Sequence, residues 1–75
     1  MKIKILRNEG FKPELFQGAN FPLTVKGDII KKGMFKGWHT TTGLELFKAG
    51  CVNLDKAYFD CSFEFSPASS VVLTY

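Results

Sequence analysis

The sequence predicts an all-β fold: a small five-stranded SH3-like barrel, with an OB-like barrel as the alternative and one or two short helical turns. Three observations lead there. Apolar and polar residues alternate at period two in separate short segments, as at Ile3/Ile5, at Phe21/Leu23/Val25 and most clearly at Phe59/Cys61/Phe63/Phe65. Glycines and prolines punctuate the chain between those segments, and no stretch holds a helical period for long. At 75 residues, one sheet has to curl onto itself to bury its apolar face and blunt its edges. An OB-like barrel ordinarily needs more chain and a proper helix, which places it second.

Met1 to Leu6 alternates Lys2 and Lys4 with Ile3 and Ile5, the pattern of a half-buried strand. Residues 7–20 break the period with Gly10, Pro13 and Gly18 and read as a long loop. Pro13-Glu14-Leu15-Phe16 suits one helical turn, since proline fits the first helical position. A loop of that length is either functional or packed down by its own side chains, here Phe11, Leu15 and Phe16. Phe21 to Lys26 is the second strand, and Gly27-Asp28 before Ile29-Ile30 predicts a bulge or a sharp bend. Lys31-Lys32-Gly33 turns the chain into a third strand, Met34 to Thr42. Leu44 and Phe47 suit a short helical turn closed by Gly50, and Asn53 to Lys56 is turn-like. Tyr58 to Phe65 is the clearest strand, with Phe59, Cys61, Phe63 and Phe65 expected on its inner face. Ser66 to Ser70 turns, and Val71 to Tyr75 makes the last strand.

Size and composition exclude several classes of function. A chain of 8.4 kDa makes one domain spanning residues 1–75. Area scaling leaves about 4,600 Å² exposed out of about 12,000 Å², so the interior has little room for a deep, dry reaction site. Eight of the eleven aromatic residues are Phe, which argues against disorder. No apolar run is long enough to cross a membrane, and the opening residues lack a signal-peptide core, so a cytoplasmic protein is expected. The net charge of +3 is uneven: residues 1–48 carry nine basic groups against four acids. Only Arg7 among the basic residues has the forked group that reads phosphates and guanine edges.

The groups that ordinarily carry catalysis are sparse. Cys51 and Cys61 stand ten apart without paired metal-ligand spacing, and with no sign of export they read as two reduced, buried thiols. Adding the single His39 still leaves a metal site short of ligands. His39 reads instead as an exposed strand residue or a hydrogen-bonded turn residue. Asp60 and Glu64 share a strand face but lie about 13 Å apart, too far for a working carboxylate pair. No glycine-rich phosphate cradle is present. The expectation is a protein that is not an enzyme and uses no cofactor.

What remains is surface. Lys31 to His39 interleaves basic and aromatic residues around Gly33 and Gly37. In a single curled sheet one face is wet, so an exposed Phe or Trp is expected there, against the competing reading that Trp38 plugs the barrel. Exposed large aromatics flanked by lysine form the usual anchor of an interaction site. Phe35, Lys36, Trp38 and His39 are the expected contacts, with Lys31 and Lys32 steering. An acidic protein surface is the first choice of partner, given the scarcity of arginine. A nucleic-acid module using the same patch is the rival. A third class, a structural or oligomerising protein, would use the uncharged strand Val71 to Tyr75.

Three segments carry a family resemblance: Lys2-Ile3-Lys4-Ile5-Leu6-Arg7-Asn8-Glu9-Gly10-Phe11, Phe21-Pro22-Leu23-Thr24-Val25 and Gly43-Leu44-Glu45-Leu46-Phe47-Lys48-Ala49-Gly50. Together they resemble small proteins encoded by tailed bacteriophages of enteric bacteria. None is a catalytic motif, and no functional residue carries over. The resemblance implies an early phage product that acts in the host cytoplasm by binding and modulating or inhibiting a host protein.

Overall fold

The alternation in the first segment turns Ile3 and Ile5 inward, and both are fully buried in the computed structural model, which describes residues 1–75. The elements follow in the order β1 (Lys2–Ile5), a 3-10 turn (Pro13–Phe16), β2 (Leu23–Lys26), β3 (Asp28–Ile29), β4 (His39–Thr42), α1 (Gly43–Lys48), a second 3-10 turn (Lys56–Tyr58), β5 (Ser62–Phe65) and β6 (Ser70–Thr74). They form two three-stranded sheets, β2-β1-β6 and β3-β4-β5. Every ladder is antiparallel. The molecule is therefore mostly β with little helix, as the patterning predicts. No closed barrel is formed.

Cross-strand register explains what is buried. Ile3 faces Val25 and Ile5 faces Leu23, while His39 faces Phe65 and Thr41 faces Phe63. Those positions point into one core of ten buried residues, which also takes in Phe16, Leu46, Cys51 and Leu54. Each fully buried Phe or Leu contributes about 1.5–3 kcal/mol relative to exposure. The long loop after β1 is held by its own aromatic side chains. Phe11 lies 5.2 Å from Phe63 and 5.4 Å from Phe65, ring centre to ring centre. Asn8 clamps the same place, donating to the Phe11 carbonyl and accepting its N–H, both at 2.9 Å.

Gly27 is where one strand becomes two. A side chain there would collide with the Thr40 carbonyl and with Ile3 Cδ1, so only glycine lets the chain pass from the first sheet into the second. The expected bend is present, and it raises the strand number from five to six. Helix α1 is longer than the single turn expected. Thr42 Oγ1 accepts the Glu45 N–H at 3.3 Å and caps its start. At its end, Gly50 takes a φ of +130° while Gly50 N–H reaches Phe47 O and Cys51 N–H reaches Leu46 O.

Two expected strands are shorter than the alternation implied. The third begins at His39, not Met34, because Gly33 and Gly37 both hold positive φ and fold residues 33–37 into turns. The fourth begins at Ser62, not Tyr58. Asp55 Oδ1 accepts the Ala57 N–H at 2.9 Å and starts a 3-10 turn that consumes the beginning of the run. Cys61 is thereby left outside the ladder and exposed, correcting the expectation of two buried thiols; only Cys51 is buried.

The corner between β5 and β6 is tied to the first loop. Glu9 accepts the Ser66 N–H, and Arg7 donates to the Ala68 carbonyl at 2.6 Å. The Ser66 hydroxyl, then the Ser66 N–H, the Ser69 hydroxyl and the Arg7 charge hold the Glu9 carboxyl below its ordinary range, against partial desolvation.

Candidate functional site

The hairpin formed by β3 and β4 continues one step beyond the strands. Ile30 N–H donates to Trp38 O and Gly37 N–H donates to Ile30 O, each at 2.8 Å. Beyond that rung the chain makes two overlapping turns, with Lys36 N–H on Gly33 O at 3.2 Å and Trp38 N–H on Phe35 O at 2.9 Å. Gly33 and Gly37 sit at φ of +91° and +90°, and open space surrounds both. Backbone conformation, not crowding, calls for glycine at these two places.

This loop presents the aromatic and basic residues that the sequence singled out. Met34 is 93% exposed at the tip, and Phe35 is 42% exposed. Trp38 is half-buried and meets Phe35 edge-on, with ring centres 4.7 Å apart and planes at 62°. Lys31, Lys32 and Lys36 are exposed around them, and no acid occurs from Ile29 through Thr42. The single ion pair in the molecule, Lys48 with Glu45, lies elsewhere. The loop is thus an uncompensated positive rim around an apolar, sulfur-bearing and aromatic tip.

His39 does not join it. The ring turns inward from β4, is only 8% exposed, and places Nδ1 2.7 Å from Ser70 Oγ. Here the structure corrects the sequence reading, which placed His39 among exposed contacts. The strand begins at this residue, so its inward register position decides the matter. Ser70 Oγ lies 2.8 Å from Ser66 O, which only accepts. The Ser70 hydroxyl therefore bridges His39 Nδ1 and the Ser66 carbonyl. No buried side-chain nitrogen or oxygen lacks a partner, so the unbonded Nε2 reaches solvent. Burial pushes the His39 pKa down. The pair joins β4 of one sheet to β6 of the other.

Ser70 is 1% exposed and out of reach of a substrate, so this serine and histidine make a structural tie. No three side chains of the His, Cys, Asp or Glu type gather where they can hold a metal ion. Two surface depressions, of about 230 and 160 Å³, include neither His39 nor a cysteine.

A second exposed apolar area escaped the sequence reading. Leu44, Phe47 and Tyr58 are 38%, 37% and 39% exposed, and Phe47 packs at 5.0 Å on half-buried Phe59. Leu46, between the two exposed helical residues, is fully buried. The signal was the spacing of Leu44 and Phe47, three apart on the outer side of a turn whose core contact is Leu46. That Tyr58 joins them follows only from the packing of Gly43 beneath the Tyr58 carbonyl.

Comparison with known proteins finds no match among protein-family models, curated proteins or solved structures, and nothing in it links the chain to tailed-bacteriophage proteins.

Proposed function

We propose that this is a non-catalytic binding protein whose β3–β4 loop docks onto an acidic surface of a protein partner and modulates or inhibits it. The observation that carries this reading is the loop itself: Met34, Phe35 and Trp38 clustered at its tip, with Lys31, Lys32 and Lys36 unpaired around them. Exposed aromatic and Met side chains anchor interfaces by burying apolar area, while the lysine rim attracts and orients an acidic partner. Two turns and the Ile30–Trp38 rung fix the loop before binding, which reduces the entropy lost on docking. The edge-on contact of Phe35 with Trp38 takes up one ring face, leaving a poorer stacking platform for nucleic-acid bases than for a protein groove. In the setting that the sequence resemblance implies, the partner is a bacterial host protein and the molecule a phage product.

For the fold we propose an SH3-like arrangement. The reading is supported by the strand succession β6-β1-β2 then β3-β4-β5, with β2 and β3 as two halves of one chain segment bent at Gly27.

The test is capture from bacterial lysate with wild-type protein, Phe35→Ala and Trp38→Ala, with and without nuclease. A protein held by the wild type after nuclease and lost from both variants is the expected result. Each substitution should weaken binding of that protein by about 2 kcal/mol or more while unfolding stays cooperative. Binding that disappears on nuclease treatment, or that survives both substitutions, overturns the proposal. If Trp38→Ala unfolds the protein, Phe35→Ala decides alone, since its ring is the more exposed of the two.

A further inference from the structure

We propose that the depression between β1, β2 and the end of α1 binds a phosphate dianion, free or as the terminal group of a phosphomonoester, through Lys2, Lys26 and Lys48. The depression has a volume of about 230 Å³ and is lined by these lysines together with Thr24, Val25, Glu45 and Ala49. Lys2 and Lys26 are direct partners in the β1–β2 ladder, so their ammonium groups leave the same face of the sheet side by side. Like charges placed directly opposite repel, and a bound anion converts that repulsion into attraction. Lys48 comes from the last turn of α1 on the other side of the depression. Its partner is Glu45 at 3.8 Å, the one carboxylate in the lining. The balance of three ammonium groups against one carboxylate matches a group carrying about two negative charges near neutral pH.

The surroundings reinforce the sign. On the outer face of this sheet the register places Lys4 with Thr24 and Val71, and Lys2 with Lys26 and Thr74, so no acid occurs among them. The Thr24 hydroxyl is exposed and can donate to a phosphate oxygen. The three cations line one depression from three separate elements. That arrangement suits a single compact dianion better than a track of singly charged phosphodiesters. It is separate from the aromatic loop and shares none of its lysines.

The experiment is a titration of isotope-labelled protein with inorganic phosphate at low ionic strength, followed through backbone amide signals. Saturable shifts confined to Thr24, Val25, Lys48 and Ala49 are expected, with Lys12→Gln behaving as wild type. Lys2→Gln and Lys26→Gln should each weaken binding about three- to fivefold, the upper part of the range that exposed ion pairs span. Affinity for glycerol 3-phosphate should fall as pH drops below about 6, where the ester's dianion takes up a proton. Glycerol 3-phosphate binding more tightly than phosphate identifies an ester ligand, and equal affinity identifies the free ion. Shifts that never saturate, that spread evenly over all exposed lysines, or that survive both substitutions overturn the proposal. So does an oligothymidylate without terminal phosphates binding more tightly than phosphate.

Discussion

His39 stands first in β4, and its inward position sets both its hydrogen bond to Ser70 and its acid–base behaviour. Burial lowers its pKa from an ordinary value near 6.5, so below that pH the folded state holds fewer protons than the unfolded chain. The neutral ring's contribution to stability is complete above about pH 6.5 and is lost as pH falls through the lowered folded value. Denaturant midpoints of the wild type should therefore decline between pH 7 and pH 5. His39→Asn, which keeps a hydrogen-bonding group near the Nδ1 position, should flatten that decline. Parallel pH profiles for the two proteins would show that burial does not shift this histidine. The sequence showed one imidazole beside a tryptophan; the neighbour that fixes its role, Ser70, lies in the last strand of the chain.

Among the elements, α1 depends most on single residues at its start. Thr42→Ala removes the cap on Glu45 N–H and should cost about 1 kcal/mol in chemical denaturation. Gly43→Ala should cost more than that, because the new Cβ would collide with the Tyr58 carbonyl and push the second 3-10 turn away. Equal stability of the two variants would mean that the turn yields freely. The ends of the elements likewise depend on backbone conformation at single residues. Gly50 closes the helix as its sequence position implies, and Pro13 opens a 3-10 turn. The alternation at Met34 to Trp38 looked like a strand, yet positive φ at Gly33 and Gly37 coils it. Period-two patterning reports which side chains are apolar and does not register backbone dihedrals.

For the whole molecule, two sheets share one core, and the two thiols report on it differently. Cys51 is fully buried and burial pushes its thiol pKa up, whereas Cys61 is exposed beside the second 3-10 turn. A thiol reagent should label Cys61 at once in the native protein. Cys51 should react only as fast as the core opens, giving an opening free energy close to that of global unfolding. Labelling of Cys51 as fast as Cys61 would mean that the core around Leu46 and Leu54 opens independently.

The sequence by itself determined the β character, the glycine bend in the second strand, the packed-down loop around Phe11 and Phe16, and the interleaving of basic and aromatic residues from Lys31 to His39. These are local matters, legible in the spacing of apolar residues and in the conformational freedom of glycine and proline. Only the tertiary structure decided that the chain forms two sheets, that His39 faces inward while Cys61 faces out, and that Lys2, Lys26 and Lys48 border one depression. Each of those outcomes depends on a partner brought from elsewhere in the chain, and burial and charge belong to the assembled neighbourhood, not to any one segment.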